Sequence, residues 1–255
     1  MKKGQRLWTR EELIVTINLY CKLPFGKLHH RHPEVVKLAE LLGRTPGSIA
    51  YKLVNFASLD PSLQSRGIKG ASNTSKLDRA IWDEFYQNWD ALPYESEKLR
   101  ADLEGTSVEV LNELSIGDIP ESKERETIVK QRVNQSFFRK AVLASYDYSC
   151  CITGISHNAL LVAGHISTWA ADPANRMNPS NGLAMNALHD KAYEHGLMAI
   201  AQDYTIHVAS DLLGDTTPHL HAFFKQFEGK QIKLPKRFLP DRDLLEKHYS
   251  ERFKH

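Results

Sequence analysis

The chain has 255 residues, 42% hydrophobic and 25% charged, with a net charge of +2, the make-up of a globular protein with one large or two small domains. Its longest apolar runs, such as "ALLVAG", fall far short of the roughly 20 residues that cross a bilayer. "MKKGQRLWTREE" has no apolar stretch behind its lysines, so no signal peptide or membrane partner is expected and the default location is cytoplasmic. Cysteines at 21, 150 and 151 form neither a CxxC pair nor a disulfide framework, which leaves reduced, partly buried thiols.

The charge is unevenly spread. Residues 1–79 hold 14 Lys+Arg against 6 Asp+Glu, and residues 80–125 hold 4 against 12. A basic N-terminal part suits a polyanion, because Lys and Arg displace the counterions condensed on phosphate. A solvated basic surface, or one folded against the acidic stretch, accounts for the same numbers.

Thr9 and Glu12 form a T-x-x-E capping box ahead of "ELIVTINLYCKL", which predicts the first helix. "PFGKLHHRH" reads as an exposed basic loop; its histidines 29, 30 and 32 stand among Lys27 and Arg31. Pro33 suits the first position of a second helix and Gly43 its stop. Thr45 then caps a third, with Pro46 at its first position. The spacing of Ala39, Gly43 and Ile49 fits a helix-turn-helix, in which a small residue lets two helices approach, glycine turns the chain and an apolar residue locks the second helix. A plain pair of helices has the same spacing. If the motif reads DNA, Arg44, Thr45 and Ser48 face the duplex and Lys52 lies near phosphate. "QSRGIKGASNTSK" reads as a loop and "KLDRAIWDEFYQNWDAL" as an amphipathic helix. A short helix and an acidic linker, "SIGDIPESKERE", follow. The boundary is expected near residue 125, between a helical, DNA-binding domain (1–125) and a second domain (126–255).

The second part predicts a helix over 134–146, a short strand and turn at "CCITG", and a strand in "NALLVAGHI" that ends at His165. A turn-rich loop, "ADPANRMNPSNG", leads to a helix over "GLAMNALHDKAYEHGL". Two strand segments flank Gln202–Asp203. The extended "LPKRFLP" and a final short helix complete the chain.

Five short motifs in this part belong together: Cys151–Ile152–Thr153–Gly154; "GHI" with Trp169; "NGL" at 181–183; Leu188–His189; and "YEHGL" at 193–197. Over residues 132–210 they resemble the HNH nuclease superfamily, with its ββα-metal fold, and most closely its bacterial restriction-type members. The resemblance implies an α+β chain with a C-terminal ββα-metal domain behind the helical one. It implies a metal-dependent endonuclease that hydrolyses double-stranded DNA with His165 as general base. Asn181 then orients His165 or ligates the metal, and His189 is the helical metal ligand. Mg²⁺ is the expected ion, with Mn²⁺, Zn²⁺ or Ni²⁺ as alternatives. Gly164 stands where many members carry an Asp or His ligand, and His195 where Arg is expected.

Arg139, Arg176 and Lys191 are candidate phosphate contacts or structural cations, and His195 contacts phosphate or ends the helix through its dipole; Trp169 and Tyr193 read as core, and Asp190 and Glu194, which flank the site, as acids on the helix surface. A strand-end histidine, a helix-capping asparagine and a packed histidine explain 165, 181 and 189 one at a time; their joint occurrence favours the site. Because one such site cuts one strand, a homodimer fits a double-strand break. A regulator that binds DNA without cutting it is the alternative function, and modified bases or RNA are alternative substrates.

Overall fold

The computed structural model describes residues 6–68, 74–115 and 122–254. The chain divides into two compact units, residues 1–140 and 141–255. The fold is α+β, and no helix among the described residues is long and apolar enough to cross a membrane.

The first unit is helical. Helix α1 (Arg10–Lys22) starts in the expected capping box, in which Thr9 accepts from Glu12 N and Glu12 from Thr9 N. Helices α2 (Pro33–Leu41) and α3 (Pro46–Leu59) follow, with Gly43 in the left-handed region (φ +58°) between them and Thr45 capping α3. A short α4 (Pro61–Gln64), α5 (Lys76–Tyr86), α6 (Leu92–Glu104), α7 (Val108–Leu111) and most of α8 (Lys123–Ser145) complete the unit. Helix α1 packs against α3, α5 and α6. Leu13, Ile17 and Tyr20, Ile49, Leu53 and Phe56, and Ile81 and Phe85 are all 0–1% exposed; α1 is buried on nearly every side, and the apolar stripes of α3 and α5 pack against it.

Two expectations change here. The predicted helix over 134–146 begins eleven residues earlier, and Ser122 accepts from Arg125 N at its start. The expected linker runs into that helix; its residues 116–121, like residues 69–73 of the expected loop, lie outside the described residues.

The second unit starts with the last turns of α8. "CITG" is a tight turn without a strand, closed by Gly154 N on Cys150 O at 2.9 Å, with Gly154 at φ +76°. Strands β1 (Leu161–His165) and β2 (Gly182–Asn186) pair antiparallel, from Leu161↔Asn186 to His165↔Gly182. Helix α9 (Ala187–Glu194) follows β2 directly and packs on both strands. "GLAMN" is therefore strand, not the first turns of a helix, and the helix cap is Asn186, whose Oδ1 accepts from Leu188 N and His189 N. Strands β3 (Met198–Ile200) and β4 (Ile206–Val208), the two segments expected on either side of Gln202–Asp203, pair as an antiparallel hairpin. Helices α10 (Ser210–Gly214), α11 (Pro218–Phe223) and α12 (Arg242–Arg252) complete the unit, with α12 against β3.

Helix α12 closes on α9 through His248. Its ring stacks on Tyr193 with centroids 3.7 Å apart, Nε2 lies 3.2 Å from Tyr193 O, and Nδ1 is buried with no partner among the described residues. Burial holds its pKa down, from 6.5 to about 4. The unfolded chain therefore binds this proton more readily, so stability is complete above pH 6.5 and is lost as pH falls towards 4. At roughly 1.4 kcal/mol per unit the loss approaches about 3 kcal/mol. Chemical denaturation at pH 7 and pH 4.5 should show His248→Phe, which keeps the stack, losing less stability over that interval than wild type.

Candidate functional site

The second unit's hairpin and helix meet at Gly164 and His165. His165 is the last residue of β1, and its Nε2 lies 2.9 Å from the carbonyl oxygen of Arg176 in the loop over 166–181. A carbonyl only accepts, so Nε2 carries the proton and the basic lone pair of the ring is on Nδ1. Burial lowers the imidazole's pKa, partly offset by the bond to Arg176 O, so the ring is neutral at pH 7. Trp169 meets it edge-on with centroids 5.9 Å apart. Trp169 in turn lies under the Arg176 guanidinium, 5.1 Å from the ring centroid, and its carbonyl accepts from Arg176 Nε at 2.7 Å. Trp169 is thus half-buried beside the site rather than in the core.

The Asn181 side chain is engaged by the loop over 166–181. It is fully buried, with Oδ1 accepting from Ser167 N at 2.8 Å and Nδ2 donating to Ser167 O and Asn175 O, both at 3.1 Å. Its own carbonyl accepts from Ile166 N. Asn181 is a strut: it fixes the loop that presents the Arg176 carbonyl to His165. Losing three buried hydrogen bonds, Asn181→Ala should cost about 2–4 kcal/mol. Denaturation measures that cost, and amide hydrogen exchange should show protection lost over 166–181 first.

His189 is likewise engaged by neighbouring groups. It is 1% exposed, with Nδ1 3.0 Å from Asn186 Nδ2 and Nε2 2.6 Å from Phe223 O. Because Asn186 Oδ1 is taken by two backbone N–H groups, the amide presents its NH₂ to the imidazole, which fixes Nδ1 as acceptor and Nε2 as donor. Phe224 and Phe227 meet the ring edge-on, each with centroids 5.5 Å away. His189 therefore ties α9 to α11 and is a packed histidine.

The next residue faces β1 instead. A Cβ built on Gly164 would collide with Asp190 Oδ1 and stand 2.9 Å from Met185 Cε. The missing side chain is a notch, and the Asp190 carboxylate fills it. Asp190 is half-buried; burial, then Glu194, raises its pKa, with Lys191 opposing. The expectation of a surface acid is corrected here. The sequence signal for it is Gly164 itself, at a position where related sites carry a ligand; which neighbour fills the space is a tertiary fact.

The candidate phosphate contacts scatter. Lys191 is exposed on α9 and His195 just past its end, with Lys191 paired to Glu194 at 2.8 Å, and Arg176 is held by Trp169. Arg139 is half-buried on α8 in the first unit. There, Arg44 and Lys52 are neutralised internally. Arg44 forks onto Glu12 (Nε–Oε1 3.0 Å, Nη2–Oε2 2.6 Å) and lies 3.9 Å from the Trp8 ring centroid. Lys52 is buried on both Asp78 oxygens, at 2.7 and 2.8 Å. Breaking either pair strands a buried carboxylate, so both residues are corrected from DNA contacts to structural cations. Thr45 and Ser48 are more accessible at the start of α3, where Thr45 caps the helix.

An antiparallel hairpin ending in a carbonyl-oriented histidine and followed directly by a helix is a ββα unit. Residues 150–201, from "CITG" through β3, match the family model described as HNH endonuclease, which supports membership of the HNH superfamily. No curated protein matches the chain. HNH nucleases generally use divalent metal ions. Among the described residues no cluster of three His, Cys, Asp or Glu side chains could hold one. The Asp190 carboxylate suits a hard cation such as Mg²⁺ that keeps several waters, whereas Asn181 and His189 make the hydrogen bonds described above.

Proposed function

We propose that the protein is a metal-dependent, restriction-type DNA endonuclease with His165 as general base. The observation that carries this reading is the His165 ring, held through Nε2 at the end of β1 beside the Gly164 notch that Asp190 fills. Water attacks phosphorus, His165 Nδ1 takes its proton, and the bond from phosphorus to the leaving ester oxygen breaks. Asp190 would hold the divalent ion, which supplies Lewis-acid stabilisation of the phosphate charge. Asn181 is a positioning residue acting through the loop and the Arg176 carbonyl. Arg176, Lys191 and His195 would offer cations or hydrogen-bond donors to flanking phosphates.

The engagement of Asn181 and His189 in structural bonds favours one alternative, a regulator that binds DNA without cutting it. Supercoiled plasmid separates the two. Nicking in Mg²⁺ or Mn²⁺ and none in EDTA is the result expected of the nuclease, with nicked circles preceding linear product because one site cuts one strand. Binding without nicking in Mg²⁺, Mn²⁺, Zn²⁺ or Ni²⁺ is the result expected of the regulator.

A further inference from the structure

The first unit carries a basic segment that its ion pairs leave unused. Leu23 and Leu28, 5% and 8% exposed, anchor the chain on either side of the turn Phe25–Lys27. His29 N donates to Lys27 O at 2.9 Å and His32 N to His29 O at 3.0 Å, which winds the chain tightly into α2. Between Leu23 and α2, Lys27, His29, His30 and Arg31 are all exposed, and Lys37 is accessible on α2. The His29 and His32 ring centroids are 6.1 Å apart. From 24 to 37 the one carboxylate is Glu34. Among the described residues Lys27, Arg31 and Lys37 enter no ion pair, whereas Arg44 and Lys52, the basic residues of the α2–α3 turn and of α3, are both consumed.

From this contrast we infer that the loop from Lys27 to Arg31, and not the start of α3, is the first unit's contact with the phosphate backbone of duplex DNA. Cations without a protein partner release counterions on meeting phosphate, and cations already paired to a carboxylate gain little. The exposed imidazoles add hydrogen-bond donors that suit phosphate oxygens. The buried leucines hold the loop in place, so little further order is lost on binding.

The choice of duplex DNA rests on the nuclease reading, so the test runs without metal. Fluorescence anisotropy of a short labelled duplex, titrated with full-length protein in EDTA at several salt concentrations, gives affinity and salt slope. A Lys27→Ala/Arg31→Ala variant should bind about tenfold more weakly. Its slope of log K against log salt should be shallower by about two, near 0.9 for each phosphate that the variant no longer neutralises. Lys76→Ala/Arg79→Ala, which removes two exposed cations of α5, should change neither.

No loss from the loop pair, equal loss from both pairs, absence of binding by wild type, or tighter binding of an RNA duplex of the same sequence would each overturn the inference. Plasmid cleavage is read separately. Binding through the loop without cutting removes the nuclease reading alone, and cutting with an unaffected loop variant removes this inference alone.

Discussion

His165→Ala should nick plasmid about 10²- to 10⁴-fold more slowly than wild type, the range for loss of a positioned general base, while keeping its fold and its affinity for DNA in EDTA. The ring holds the loop from Nε2 to Arg176 O, a hydrogen bond worth about 1 kcal/mol, so circular dichroism and the denaturation midpoint should move little. The base must be unprotonated to act. Since burial holds the His165 pKa below the usual histidine value, wild-type rate should fall as pH drops through that lowered value, and the residual rate of His165→Ala should lack that acidic limb. Equal nicking by both proteins would remove His165 from the chemistry.

Asp190→Asn should lose more than about a hundredfold in cleavage, since even groups that only orient a metal ligand are worth 10- to 100-fold. Geometry adds a sharper expectation. Gly164→Ala alone puts a Cβ into the Asp190 carboxylate and should displace it, slowing cleavage with Asp190 still present. Gly164→Asp combined with Asp190→Gly moves the carboxylate from helix to strand, into the space it already fills, and should recover activity that neither single variant has. The contrasting substitution is His189→Gln. It breaks a buried bond to Phe223 O and should cost about 1–3 kcal/mol of stability, with cleavage close to wild type at temperatures where the variant is folded. A plasmid nicking series with these variants, run beside denaturation curves, separates the proposed ligand from the packed histidine.

Helix ends are the most legible part of the sequence, because capping chemistry is local. Thr9 with Glu12, Thr45 with Pro46, and Gly43 announce their boundaries within four residues. "GLAMN" reads as helix because Ala and Met favour helix and Asn181 resembles a cap. Pairing with β1 overrides that preference, and the cap is Asn186, five residues on. The early start of α8 is hidden by "KERETIVKQR", whose few apolar residues leave little periodicity to read.

At the site, His165 is legible as a strand-end histidine followed by a turn-rich loop. The parts played by residues 189 and 190 are not, because neighbouring positions on a helix face different ways and only the packing of α9 on β1 and α11 says which side chain meets which. Arg44 and Lys52 show the same limit: their partners, Glu12 and Asp78, lie 32 and 26 residues away. A charge count sees the cation and not its partner.

The proposed mechanism stands on one divalent ion held beside His165 by the carboxylate of Asp190. Its most direct measurement is Mn²⁺ binding to the folded protein without DNA, followed by the loss of the free-ion electron paramagnetic resonance signal, for wild type, Asp190→Asn and His189→Gln. Wild type and His189→Gln should each bind an ion, and Asp190→Asn should bind it at least tenfold more weakly. Wild-type affinity in Asp190→Asn, together with its loss in His189→Gln, would contradict that assignment.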